Sequence, residues 1–205
     1  MTAITDRLGD LLDTITSQGY DLSRDLNPGL DRSEILSLAN FFPCALAEEL
    51  IELYQWRNGQ IMGEWFDNGI NVSGIPLFRD NYFIPLHRTK EYYLIMLDIM
   101  EEEEDWEFLR YAFPFATYEG SIWVMCCGAQ PLQPQLKHPI VSIFEGIEVY
   151  FCDMLSMLDT IIAWYREGAY RIRPDRRGNY APLLDYNERL ERQIWQRLNP
   201  DIMIW

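Results

Sequence analysis

The chain has 205 residues, 48% of them hydrophobic and 14% aromatic, enough to bury a substantial core; it is long for one small domain and short for two full ones. Its formal net charge of -15 repels phosphate backbones, which argues against nucleic-acid binding through a general basic face and favours a cationic protein partner. No run approaches the roughly 18 uninterrupted apolar residues of a membrane span, and "MTAITDRLGDLLD" places acids where a secretory signal needs a basic and then an apolar region, so a soluble, cytoplasmic protein is expected.

In chain order, Ile4, Leu8, Leu11, Leu12 and Ile15 fall on one face at helical spacing, and Gly19 stands where that amphipathic helix could stop. After the breaker "LNPGL", Asp31 or Ser33 can cap a short helix through Ala39. "FFP" then interrupts, because Pro43 suits a first helical turn better than an interior. The next helix, "CALAEELIELYQWRNG", turns Leu46, Leu50, Leu53 and Tyr54 to one side and Glu48, Glu49 and Glu52 to the other. Gly59 fits a left-handed cap at its end, so Asn58-Gly59 reads as a helix stop and not as a hairpin turn.

Glycines and prolines between residues 60 and 88 predict loops and short strands. "TKEYYLIMLDIMEEEEDWEFL" predicts a helix with Thr89 as its cap and Tyr92, Tyr93, Ile95, Met96, Ile99 and Met100 on a broad apolar face. Glu101, Glu102, Glu103, Glu104 and Asp105 would sit at its C-terminus, where the macrodipole is already negative, so the run reads as a solvated, frayed end. With Trp106 beside it, the run is also the candidate partner-binding surface: a charged rim next to an aromatic anchor.

The β signal is concentrated between residues 111 and 152. "SIWVMCC" is apolar and bounded by Gly120 and Gly128, while "PIVSIF" and "IEVYFC" flank Glu145-Gly146 at a spacing that suits a two-residue hairpin. Three antiparallel strands are expected. Asp153 can cap "MLSMLDTIIAWYREG", with Leu155, Leu158, Ile161, Ile162 and Tyr165 forming its apolar stripe and Gly168 ending it. A last short helix places Leu190, Ile194 and Leu198 four residues apart.

Charge marks a boundary near "YRIRPDRRGNYAP". Residues 1 to 165 carry 26 acids against 9 bases, whereas residues 166 to 205 carry 6 acids against 8 bases. The expected organisation is an N-terminal helical extension over 1–30, an α+β domain over 31–170, and an Arg-rich connection with a helical appendage over 171–205. Arg171, Arg173, Arg176 and Arg177, interleaved with Tyr170 and Tyr180, read as a salt-linked strap over the acidic body or as a homodimer contact.

No constellation for catalysis or metal binding emerges. Cys126 and Cys127 are neighbours in a strand, so their side chains point to opposite faces and cannot readily share one metal; the expected state is four reduced thiols, these two serving packing. Neither the Cys-x2-Cys nor the His-x3-His spacing of zinc sites occurs, and the acidic run lacks the spaced ligands and turn glycine of a calcium loop. The two histidines, His87 and His138, have no local nucleophile motif, and "GQIMGEW" lacks the Lys and Ser/Thr of a phosphate-binding loop. No cofactor and no catalytic residue is expected.

Four segments together carry a family resemblance. "FFPCALAEELIELYQWRNG" resembles the "LP, amphipathic helix, Asn-Gly" opening of the SUKH superfamily, which groups fungal cell-wall-assembly regulators with bacterial toxin-immunity proteins; "FIPLHRTKEYYLIM", "FPFATYEGSIWVM" and "IEVYFCDMLSMLDTIIAWYREGAY" are similar to its later strand and helix, its "PFA, turn, Gly, strand" signature, and its final strand and helix. The resemblance covers about residues 31 to 170 and departs from the family in its short "TYEG" turn and in both terminal segments. It implies an α+β domain with a mainly antiparallel sheet packed against several helices. It also implies binding in place of catalysis: an immunity protein that neutralises a cationic toxin by occupying it, or a regulatory or scaffold protein of the same fold. The third expectation, an enzyme using His87 or His138 with carboxylates, has the least behind it.

Overall fold

The computed structural model describes residues 2–66, 69–72, 74–101, 104–173 and 183–202; of these, 63–66, 69–72, 101, 104–105 and 183–184 are described for their backbone alone. The helices are α1 (Ala3–Ser17), α2 (Arg32–Leu38), α3 (Glu48–Trp56), α4 (Thr89–Glu101), α5 (Met154–Arg166) and α6 (Glu188–Leu198). The strands are β1 (Leu26–Pro28), β2 (Arg57–Gln60), β3 (Met62–Phe66), β4 (Gly69–Val72), β5 (Tyr82–Phe83), β6 (Ala112–Tyr118), β7 (Ser121–Cys126), β8 (Ile140–Ile143), β9 (Ile147–Phe151), β10 (Tyr170–Arg173) and β11 (Leu183–Tyr186). The fold is α+β. A five-stranded antiparallel sheet has the order β5-β6-β7-β8-β9, and the remaining strands form three two-stranded pairs, β1-β2, β3-β4 and β10-β11.

Two helices are punctuated as their sequences dictate. In α1, Thr2 accepts the Thr5 N–H, Ile4, Leu8, Leu11 and Ile15 are buried, and Gly19 takes a left-handed φ of 94° just beyond the end. In α5, Asp153 and Ser156 form a reciprocal capping box, and Gly168 at φ 81° follows the last turn. Helix α5 is buried on most of its circumference, through Met154, Met157, Leu158, Thr160, Ile161, Ile162, Trp164 and Tyr165, because α1, β9 and α6 all pack on it. The terminal segments read as an extension and an appendage therefore share the central core: Leu8 and Leu11 of α1 are fully buried, and so, nearly, are Ile194 and Trp195 of α6.

The sheet is larger than the three strands expected, because "AFPFATY" adds β6 and Tyr82–Phe83 adds β5. Pro114 lies inside β6 without breaking it. A register irregularity falls between Pro114 and Ala116, and β5 pairs only with Ala116 and Thr117, so the imino nitrogen is asked for no ladder bond on that side. Strands β6 and β7 join through the two-residue turn Glu119-Gly120, both at positive φ. Phe113 packs among Phe41, Phe42 and Tyr54, and Phe115 packs on Phe78.

Three local expectations are corrected. Helix α3 stops at Trp56, and Asn58-Gly59 belongs to β2, where Gly59 takes φ 73° against the Pro85 backbone; the left-handed residue serves a close crossing of two chain segments and no cap. The β8–β9 loop has three residues, since Ile143 pairs with Ile147, Glu145 takes the positive φ, and Phe144 is left exposed. Thr89 does not cap α4 from outside: it is the first helical residue, preceded by a 3-10 turn at Leu86–Arg88, and its hydroxyl donates back to the Leu86 carbonyl. Among the described residues no helix is long and apolar enough to cross a membrane.

Candidate binding cleft

A concavity of about 940 Å³ lies beside β9, an edge strand of the five-stranded sheet. Gly74, Pro76, Arg79, Asp80 and Tyr82 approach it from one chain segment, Ile147 to Tyr150 from β9, Tyr118 from β6, and Leu132 and Gln133 from a loop. Tyr170, Tyr186, Glu188, Glu191, Arg192, Trp195 and Gln196 bring the C-terminal elements to its opposite side.

A tight turn aims Arg79 into this cleft. Phe78 and Asn81 exchange both backbone hydrogen bonds, at 3.1 and 2.8 Å, leaving Arg79 and Asp80 as a two-residue loop. Arg79 sits at φ 58°, a left-handed conformation that such a loop usually gives to glycine and that costs a residue with a Cβ roughly 1–2 kcal/mol. Two contacts offset that strain: the guanidinium lies 5.4 Å from the centre of the Tyr150 ring, and its Nε stands 2.7 Å from Glu191 Oε1. The same carboxylate oxygen accepts the Tyr170 hydroxyl at 2.9 Å.

Glu191 is 5% exposed, and its two partners make that burial tolerable. Burial opposes the charge of Arg79, but Tyr150, Asp80, Tyr170 and Glu191 around it raise its pKa above the ordinary arginine value, so it stays cationic. Burial pushes the Tyr150 phenol up to about 12 against the pull of Arg79. Helix α6 is fastened by further bonds: Trp164 Nε1 donates to the Glu191 carbonyl and Trp195 Nε1 to the Tyr150 carbonyl, each at 3.0 Å. Asn199, just beyond α6, donates to Thr160 Oγ1 at 3.0 Å.

The residues singled out from sequence lie elsewhere or beyond description. Glu101 is the last residue of α4, Glu102 and Glu103 lie outside the described residues, and the side chains of Glu101, Glu104 and Asp105 are likewise outside them. Trp106 sits in the 3-10 segment Glu104–Tyr111, half-buried against the core, and is not among the residues lining the cleft. His87 is exposed, while His138 Nδ1 stands 3.3 Å from Glu49 Oε1; neither lines the cleft. Cys126 is buried and Cys127 half-buried, both free, and burial pushes each thiol up to about 12. Among the described residues, no group of three or more His, Cys, Asp or Glu could hold a metal ion.

Of the Arg-rich connection, Arg173 pairs with Asp185 across β10-β11 at 2.6 Å, Tyr170 is buried, and Arg176, Arg177 and Tyr180 lie outside the described residues. Sequence reasoning missed Arg79 and Glu191 altogether. The available signal was on α6, where Leu190, Ile194 and Leu198 read as the inner stripe; the structure turns Glu191, Ile194 and Trp195 inward and leaves Leu198 38% exposed. An acid one position from an apolar stripe, four residues before a tryptophan, was the place to look for a buried ion pair. Compared with known proteins, the chain matches no family model and no curated protein.

Proposed function

We propose that this protein acts by binding another protein without turning it over, as the SUKH resemblance implies, and that its partner is cationic. The observation that carries the reading is charge: 32 acids face only 17 lysines and arginines, so fifteen carboxylates can have no base of their own. An acidic field of that size speeds encounter with a basic partner and disfavours acidic ones. The α+β fold supports the same reading, since an antiparallel sheet covered by helices is what the resemblance implies. Immunity, in which the protein neutralises a basic toxin by occupying it, is the form that unites charge and resemblance.

The test is affinity capture from the native host, repeated across ionic strengths that shorten the Debye length from about 10 Å to about 3 Å. One specific basic protein, released as salt rises, supports the reading; recovery of none at any salt overturns it. For the immunity form, co-expression with the captured protein should restore the growth of cells that it poisons.

A further inference from the structure

The cleft beside β9 carries the chemistry of a cation site. Its floor already contains one such arrangement, a guanidinium set over the Tyr150 ring and against the Glu191 carboxylate. Because Glu191 neutralises Arg79, the remaining charged lining among the described residues is Asp80, Glu148 and Glu188 against Arg192. Asp80, Glu148 and Glu188 are exposed to solvent, and Asp80 keeps one carboxylate oxygen beyond the Oδ1 that accepts the Asn81 amide at 2.8 Å. Aromatic rings line the same cleft: Tyr82 and Tyr118 have ring centroids 6.0 Å apart across β5 and β6, and Tyr186 is 56% exposed. An anion would meet a surplus of carboxylates here, and a neutral apolar group would leave them desolvated and unpaired. A volume of about 940 Å³ is at the upper end of ligand-sized clefts, so it accommodates a long side chain together with its flanking backbone.

We propose that this cleft is the docking site for a basic loop or tail of the protein partner, with an arginine side chain lying on the tyrosine rings and its guanidinium shared among Asp80, Glu148 and Glu188. Arginine fits better than lysine, because a planar guanidinium stacks on aromatic faces and bonds carboxylates two at a time. The proposal rests on the protein-binding reading for its biological occupant, but the preference of the cleft is a property of this chain and can be measured without the partner.

The experiment titrates the full chain with short glycine-serine peptides that bear arginine, lysine, the neutral isostere citrulline, or glutamate at the same positions, following heat and backbone amide shifts. Expected are binding in the order arginine, lysine, then citrulline, no binding of the glutamate peptide, and shifts centred on β9 and on the turn at Arg79–Asp80. Glu148→Gln and Asp80→Asn should each weaken the arginine peptide about fivefold, the size of a single exposed charge contact of about 1 kcal/mol. Glu34→Gln removes the same charge from exposed α2, away from the cleft, and should change affinity less than twofold.

Equal weakening by Glu34→Gln and Glu148→Gln would reduce the effect to the general field and overturn the site, as would indifference to peptide charge or shifts that map elsewhere. The two ideas fail separately. A captured partner whose affinity is untouched by Glu148→Gln refutes the cleft and leaves the binding function standing; peptide binding with no capturable partner does the reverse.

Discussion

Arg79 is held in a conformation that its side chain resists, so its replacement separates strain from pairing. Arg79→Gly removes the left-handed penalty of roughly 1–2 kcal/mol but leaves Glu191 buried and without its cation, at a cost of about 3–5 kcal/mol. A net loss of about 1–4 kcal/mol in urea unfolding is expected from those two terms. Combining Arg79→Gly with Glu191→Gln should recover most of it, since glutamine still accepts the Tyr170 hydroxyl and carries no charge. A double variant no more stable than Arg79→Gly alone would mean that the pair is not the reason for the strain.

Buried thiols and phenols give a second residue-scale expectation. Burial raises Cys126 and Cys127 from 9.0 to about 12 and Tyr150 from 10.0 to about 12. In each case the folded pKa lies above the unfolded one, so the unfolded chain ionises first. Stability from this source is complete below about 9, and declines with rising pH until about 12 is passed. The urea midpoint should therefore fall between pH 8 and pH 10.5, and less steeply in Cys126→Ala; a flat profile over that interval contradicts the burial of these groups.

Among elements, those with local signals were readable and those set by distant contacts were not. Asp153 and Ser156 announce α5 because a capping box is written within four residues, and Asp153→Ala should cost about 1 kcal/mol, or about 2–4 °C in melting temperature. Asn58-Gly59 misled because a left-handed glycine looks the same in a cap as in a strand crossing; only Pro85, distant in sequence, decides between them. Gly59→Ala would place its Cβ 2.3 Å from the Pro85 nitrogen at φ 73°, so no soluble, cooperatively folding product is expected. Gly9→Ala is the matched opposite. It lies within α1 with nothing near the added methyl, and should stabilise by about 0.5–1 kcal/mol in the same assay. The inner face of α6 was only partly legible from apolar spacing: Ile194 is buried as the stripe requires, but Glu191 is buried beside it, and the partner of that charge lies in a different part of the chain.

For the whole molecule, the α+β class followed from periodicity and turn signals alone, since an antiparallel sheet with neighbouring helices leaves its pattern in contiguous segments. The cleft did not, because it is assembled from two loop segments, five strands and α6, and no one segment carries its character. The terminal segments contribute to the one central core. Deleting residues 187 onward would expose Trp164 and the Tyr150 wall, so the shortened chain should bind a hydrophobic dye and lose its sharp melting transition, whereas a dispensable appendage would leave both unchanged.

The pairing of α1 with α5 also sets a timetable for synthesis. Roughly 140 residues separate them, and at ribosomal rates of about 5–20 residues per second the apolar stripe of Ile4, Leu8, Leu11 and Ile15 waits on the order of 7 to 30 s for the helix that covers it. Nothing made earlier offers it more than the shorter contact with α3. During that interval the stripe lacks the surface that covers most of it in the folded chain, and a 15-residue segment alone is only marginally helical, so α1 is completed by α5 and not before it.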